Sequence, residues 1–384
     1  MTTLELPPHH RPFAELTVGT HQLALLKDGR QAYPAMLAAI AQAKRTVCME
    51  TYILRSDRTG TMFANALAER ARDGVEVNLL YDAWGSSVSN AMLDRLHRAG
   101  VRTLAFHPFK FAGKRREIVA RLTRRDHKKT LTIDSVVGFT GGLNIADDYA
   151  AVEDGGADFR DTHLRLEGPA AAELEYFFLK TWRRGGGAEI DSRRYGGDGR
   201  RPDPHVQVVT SDERRRRSSI RREYLGAIRG ARERILITNP YFLPTIRLLH
   251  EFGEAAKRGV DVRIMVAGTT DVRAVLYASR SIYEVLLKAG VRMFEWRGRV
   301  LHAKTATIDG HWSTVGSSNL DYQSLRQNLE INAIVEGREL AEALERMFED
   351  DLTHCLEINP ERWMRRGVLT KAASWAAYLL RDWL

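Results

Sequence analysis

Between Ala32 and Leu54 apolar residues recur at helical spacing as far as a basic turn and then run together, a pattern that predicts a helix feeding a buried strand. Arg222 to Pro244 repeats it, with short β-rich runs expected at 47–53 and 235–242. The next segments match as well. ANALAERARDGVEVNLLYDAWG from Ala64 and HEFGEAAKRGVDVRIMVAG from His250 each read helix, glycine turn, strand, and LDRLHRAGVRTLAF from Leu93 pairs with IYEVLLKAGVRMFEW from Ile282. Such alternation implies parallel sheets covered by helices in both halves. The expected fold is therefore α/β: two pseudo-symmetric lobes, each a mostly parallel sheet flanked by helices. Arg183 to Pro204, rich in glycine, arginine and proline, reads as a linker. This divides the chain into an N-terminal lobe over 1–190, a C-terminal lobe over 205–360 and an amphipathic tail over 361–384.

Charge narrows the class of partner. A formal charge of +9 over 384 residues suits a phosphate-rich surface, either nucleic acid or anionic membrane, and does not separate the two. Cys48 and Cys355 stand far apart with no ligand spacing around them, which argues against a disulfide framework or a zinc site. The first residues lack a basic region followed by an apolar stretch, so no secretory signal is read and a cytosolic setting is expected. No apolar run reaches the roughly 18 to 20 residues of a spanning helix, so membrane contact is expected at the surface.

Two segments invite that contact, and a third is a candidate phosphate-binding patch. Phe106 to Asp126 mixes aromatic and basic side chains, Ser211 to Glu223 is a basic run, and the tail places Trp363, Trp375, Tyr378 and Trp383 among leucines and arginines. The tail reads as an interfacial anchor or as a helix packed on the core or on a second copy. Phe106 to Asp126 reads equally as a solvated basic helix, and Ser211 to Glu223 reads as a phosphate-binding patch or, as charge runs usually are, a solvated helix start.

The candidate chemistry is duplicated. HKKTLTIDSVVGFTGGLN carries His127, Lys129 and Asp134 in the order H-x-K-x4-D, followed by Gly141, Gly142 and Asn144. HAKTATIDGHWSTVGSSNLD carries His302, Lys304 and Asp309 in the same order, followed by Gly316, Ser317, Ser318 and Asn319. On a strand, residues two apart share a face, so each histidine is expected beside its lysine, while the small residues beyond would let backbone approach a ligand closely. One such copy is more often structural than catalytic; two complete copies at equivalent repeat positions are not a chance pattern.

At these residues the chain resembles the phospholipase D superfamily, from about residue 20 to 360. The resemblance implies that the two motifs meet at the interface of the lobes, in a two-step reaction needing no metal or other cofactor. His127 would attack phosphorus to give a phosphohistidine and His302 would protonate the leaving alcohol. Lys129 and Lys304 would balance the phosphate charge, with Asn144, Asn319 and Ser317 adding hydrogen bonds to its oxygens. Asp134 and Asp309 would either orient a histidine or shape the turn after the strand. Glu330, in NLEIN, is similar to a family glutamate that supports the opposite histidine, with Glu167, in RLEG, as its counterpart.

Within the superfamily, METYIL, LLYDAWGSS, RRDHKK, FTGGLNIADDY, DFRDTHLRLEGPA, SSIRREYL and NPYFLP are similar to bacterial cardiolipin synthases. That likeness implies transfer of a phosphatidyl group from one phosphatidylglycerol to the terminal hydroxyl of another. It implies a peripheral protein on the cytoplasmic face of the bacterial inner membrane, with no nucleic-acid partner. Many such enzymes begin with two spanning helices and this sequence shows none, which resembles the shorter forms, whose acceptors vary. Hydrolysis to phosphatidic acid and cleavage of nucleic acid are the alternative readings of the same histidine pair.

Overall fold

The computed structural model describes residues 8–107, 124–191, 194–196, 203–211, 219–269 and 273–367, and the chain divides into two compact units between Val208 and Val209. The first unit runs β1 (Ala14–Val18), β2 (His21–Lys27), α1 (Asp28–Ala41), β3 (Thr46–Thr51), α2 (Arg58–Arg72), β4 (Glu76–Asp82), α3 (Asn90–Arg98), β5 (Arg102–Phe106), β6 (Thr130–Ile133), β7 (Val137–Gly141), β8 (Thr162–Glu167) and α4 (Pro169–Arg184). Its sheet has the order β1-β2-β8-β7-β6-β3-β4-β5. After β9 (Val206–Thr210) come α5 (Ser219–Gly230), β10 (Arg234–Thr238), α6 (Ile246–Lys257), β11 (Asp261–Ala267), α7 (Arg273–Lys288) and β12 (Arg292–Trp296). The chain then forms β13 (Thr305–Ile308), β14 (Trp312–Gly316), α8 (Tyr322–Arg326), β15 (Ile331–Glu336), α9 (Arg338–Leu352), β16 (Cys355–Glu357) and α10 (Pro360–Met364). The second sheet has the order β16-β12-β11-β10-β13-β14-β15-β9.

The α/β class and the repeated helix-strand units hold, but the sheets are mixed rather than mostly parallel. β3, β4 and β5, and likewise β10, β11 and β12, run parallel, joined by helical crossovers. The motif strand β6 pairs antiparallel with β3 and then returns through a short turn into β7, which pairs antiparallel with β8. β13, β14 and β15 do the same beside β10. The histidine motif thus begins at the carboxyl ends of the parallel strands, where α/β sheets gather their ligands.

Residue alternation assigns the faces. Met49, Leu79, Leu131 and Phe139 pack beneath α1 and α2 through Met36, Ile40, Phe63 and Leu67, all fully buried. Gly138, next to Phe139, faces the other way, and a Cβ there would meet Leu174 and Ala171 of α4, which covers the opposite face. In the second unit Ile235, Ile237, Ile264 and Val266 form the corresponding core with Tyr224, Phe252 and Tyr283.

Three sequence expectations change. Phe106 ends β5 fully buried and stacks on His107, so it is a core residue rather than a membrane-facing aromatic. Tyr195, inside the expected linker, is buried and bonds Asn78 at 2.8 Å and Glu76 at 2.6 Å, which docks that segment on β4. Trp363 stacks on Tyr283 of α7 at 5.1 Å with the Arg366 guanidinium 3.5 Å from its ring centroid, so the start of the tail packs on the second core. Most of the aromatic-basic stretch (108–123), the basic run over 212–218 and the tail from 368 lie outside the described residues.

Candidate active site

His127 to Lys129 and His302 to Lys304, expected on strands, instead form the segments leading into β6 and β13. The pairing of histidine with lysine survives in another form. Lys129 Nζ donates to the carbonyl of His127 at 2.6 Å, and Lys304 Nζ folds back onto the carbonyl of His302 in the same way. Both lysines are buried, His302 is buried and His127 is half-buried. Each motif therefore holds an ammonium close against the backbone of its histidine, where the low dielectric strengthens its field.

An aromatic ring flanks each histidine. Tyr52 meets the His127 ring edge to face at 4.7 Å, and Lys129 Nζ lies 5.2 Å from the Tyr52 centroid. Tyr241 takes the same place beside His302 at 6.5 Å. The sequence signal lies in METYIL and NPYFLP, where a tyrosine follows equivalent strands.

The motif aspartates are turn residues. Asp134 and Ser135, and likewise Asp309 and Gly310, have positive φ, with N–H···O bonds from Val136 to Ile133 (3.0 Å) and from His311 to Ile308 (3.1 Å) closing hairpin turns of type I′. The Asp134 carboxylate accepts the backbone N–H groups of Lys44, Arg45 and Thr46 at 2.7 to 2.9 Å. Asp309 accepts those of Arg232, Glu233 and Arg234 at 2.8 to 2.9 Å. Partial burial raises the Asp309 carboxyl, but these donors outweigh it and hold it below the ordinary range. Of the two roles left open by the sequence, the turn is the one observed: both carboxylates sit at the far ends of β6 and β13 from the histidines, and pin the helix-to-strand turns ahead of β3 and β10.

Asn144 is a strut. Its Oδ1 accepts from Ile53 N at 3.0 Å and its Nδ2 donates to the Tyr149 hydroxyl at 2.6 Å, which ties the motif tail to the residues after β3. In the second half the tie is made from the other strand, where Leu320 N donates to Asn239 Oδ1 at 3.1 Å. Asn319 is thereby relieved of it. Asn319 is buried and its side-chain oxygen has no partner among the described residues, which keeps it a candidate ligand group.

Ser317 and Glu330 are joined directly: the buried hydroxyl donates to the Glu330 carboxylate at 2.5 Å and accepts from Ile331 N at 3.1 Å. Ser317 therefore supports an acid rather than standing as an uncommitted phosphate donor. Sheet register identifies the counterpart of Glu330. Asn332 pairs with Gly316 and His163 pairs with Gly141, so Glu330 corresponds to Asp161 and not to Glu167. Glu167 lies at the other end of β8, opposite Val137, paired with Arg165 on a half-exposed surface.

The small residues of GGLN and GSSN make room for these acids. A Cβ on Gly142 would lie 2.0 Å from Asp161 Oδ1, and one on Gly141 would lie 2.5 Å from His163 Nδ1. A Cβ on Gly316 would lie 2.3 Å from Asn332 Oδ1. These close approaches are made by Asp161, His163 of β8 and Asn332 of β15. Asp321, at the start of α8, caps Ser324 N at 2.7 Å, and burial pushes its carboxyl up to about 7, with Glu330 adding to the rise and Lys304 opposing it.

The first half carries a buried ionic cluster beside its histidine. Lys128 Nζ contacts Glu50 and Thr181, and lies 3.5 Å from Asp126. Burial, then Asp126, raises the Glu50 carboxyl against the pull of Lys128. Asp82, fully buried, accepts Asp126 N and Trp84 N at 2.9 and 2.8 Å and anchors the chain just before His127. Among the described residues no three His, Cys, Asp or Glu side chains come together as a metal site.

The family model described as cardiolipin synthase, PLD-like domain, matches residues 36–155 and 224–352, the two segments that carry the motifs. A cardiolipin synthase of Geobacillus kaustophilus is 32% identical over 98% of this chain and 77% of its own length. Cardiolipin synthase B of Salmonella typhimurium is 35% identical over 92% of this chain and 85% of its own. Among solved structures, phosphatidylserine synthase of Haemophilus influenzae superposes with a TM-score of 0.73 at 13% identity, covering 98% of each chain, a likeness of fold. With both motif-bearing segments matched and relatives aligned along nearly the whole sequence, the chain belongs to the PLD-like cardiolipin synthase family.

Proposed function

We propose that this chain is a phosphatidyltransferase that makes cardiolipin from phosphatidylglycerol by two displacements at phosphorus. The observation that carries the reading is the duplicated half-site: a histidine with a buried lysine folded against it, an edge-on tyrosine, and a buried acid at the same rung of the sheet. In the first displacement His127 attacks phosphorus through a ring nitrogen, the bond to the headgroup glycerol oxygen breaks, and His302 gives that oxygen its proton. In the second, His302 takes the proton from the terminal hydroxyl of another phosphatidylglycerol, whose oxygen attacks phosphorus as the N–P bond breaks. Lys129 and Lys304 hold positive charge where the equatorial oxygens gain negative charge, and Asn319 offers a further polar contact. Asp161 and Glu330 are the acids available to fix imidazole tautomers, as in other histidine-dependent sites.

On this reading the chain works at an anionic membrane surface, bound peripherally on the cytoplasmic face, and its net positive charge supports contact with anionic lipid. No helix among the described residues is long and apolar enough to cross a membrane. The test is mass spectrometry of the lipids formed when purified protein meets phosphatidylglycerol vesicles in excess chelator. Cardiolipin with released glycerol supports the reading. Phosphatidic acid alone makes the protein a hydrolase, and no lipid turnover rejects a phospholipid substrate.

A further inference from the structure

β8 places a second imidazole beside the first motif. His163 pairs with Gly141, and the register of β6 with β7, carried one residue past Thr130, sets Lys129 opposite that same glycine. Residues on one rung share a face of a sheet, so Lys129 and His163 lie on the same side with only the bare glycine backbone intervening. Asp161, two residues before His163, crowds Gly142 on that side as well.

His163 is 1% exposed, and neither ring nitrogen has a hydrogen-bond partner among the described residues. Buried polar atoms are ordinarily paired, and an exception in a site points to a missing ligand. The second half shows what a purely structural residue does here. At the same rung it has Asn332, whose Nδ2 donates to Thr314 Oγ1 at 3.0 Å and whose Oδ1 accepts from Ser318 N at 3.2 Å. The first half replaces this satisfied amide with an unsatisfied ring.

We propose that His163 is a further substrate-binding residue of the first half, donating a ring N–H to a non-bridging oxygen of the phosphodiester whose charge Lys129 balances. This rests on the phosphodiester reading of the half-site. Burial lowers the ring's pKa to about 4, Asp161 pulling it up and Lys129 pushing it down, so the ring is neutral near pH 7 and carries one donor and one acceptor. A neutral donor grips a phosphoryl oxygen without competing with His127 for protons. His163 also brings the acceptor a second hydrogen bond on the side of the nucleophile, which the second half does not supply in that way.

The experiment compares His163→Gln and His163→Phe in the full chain, reading kcat, KM for phosphatidylglycerol in vesicles, and thermal midpoint. Gln keeps a donor; Phe keeps the ring shape without one. The expected result is a loss of about 30-fold in kcat/KM for Phe with its thermal midpoint at or above wild type, and a loss under about fivefold for Gln. Phe at wild-type turnover, or Gln and Phe impaired alike at wild-type midpoints, overturns the inference. Where Phe does not fold, His163→Met against Gln gives the same reading. A wild-type chain with no phospholipid turnover rejects the phosphodiester reading itself, which none of the variant outcomes does.

Discussion

Ser317 and Glu330 are bonded across 2.5 Å, while at the same rung of the first sheet Gly142 leaves that space to the carboxylate of Asp161. The two halves solve one problem with two pairs of residues: a serine that reaches an acid, or a glycine that lets a shorter acid in. Ser317→Ala removes one charge-assisted bond from a buried carboxylate, worth about 1.5–3 kcal/mol, and is predicted to lower kcat/KM about tenfold or more in a steady-state assay. Gly142→Ala puts a methyl group where Asp161 stands. It is predicted to destabilise by about 2–4 kcal/mol in urea unfolding, more than Ser317→Gly.

Asp134→Asn and Asp309→Asn address the turn assignment. Each carboxylate holds three backbone N–H groups at the end of its strand away from the histidine. The substitution is predicted to cost about 2–4 kcal/mol of stability and to leave kcat within about tenfold of wild type below the melting transition. A loss above about a thousandfold in well-folded protein would return these residues to the chemistry.

The Lys128–Glu50 pair beside His127 is buried on both sides. Lys128→Met leaves the acid in the interior without its cation and is predicted to cost about 3–5 kcal/mol, whereas Lys128→Met with Glu50→Leu recovers most of it. A double-mutant cycle of unfolding free energies measures this; additivity would show that the pair is not coupled.

Stability also carries a pH signature. His163 is held at about 4 in the folded chain against about 6.5 in a free one. In that window the unfolded chain binds a proton that the folded chain refuses, so this stabilising contribution is complete above about pH 6.5 and is lost as the pH falls toward 4. The sum is about 3 kcal/mol. Urea unfolding at pH 4.5 and 7 is predicted to show a smaller pH difference for His163→Asn than for wild type; identical differences would mean that the ring titrates normally.

How much of this could be read in advance follows from where the halves agree. His127 and Lys129 recur as His302 and Lys304 with the same spacing, so comparing the chain with itself finds them. Asp161 against Glu330, and His163 against Asn332, differ in residue type and follow loops of unequal length, so only strand register brings them together. Asn144 and Asn319 look equivalent in sequence, yet Asn239 takes over the strut in the second half and frees only Asn319. The helix-strand repeats predicted the parallel strands, but the antiparallel return through β6 and β7 depends on the type I′ turn at Asp134 and Ser135, a feature that hydrophobic spacing does not reveal.

The most direct measurement is peptide mass spectrometry on His302→Ala and His127→Ala after each has met phosphatidylglycerol vesicles and been quenched in alkali. His302→Ala is predicted to accumulate a phosphatidyl group on the peptide containing His127, slowly because the leaving glycerol has lost its acid and persistently because the second displacement has lost its base, and His127→Ala to carry none. An adduct confined to His302 in the His127→Ala chain would exchange the two roles. The absence of an adduct in both, with cardiolipin still formed by wild type, would contradict the covalent mechanism.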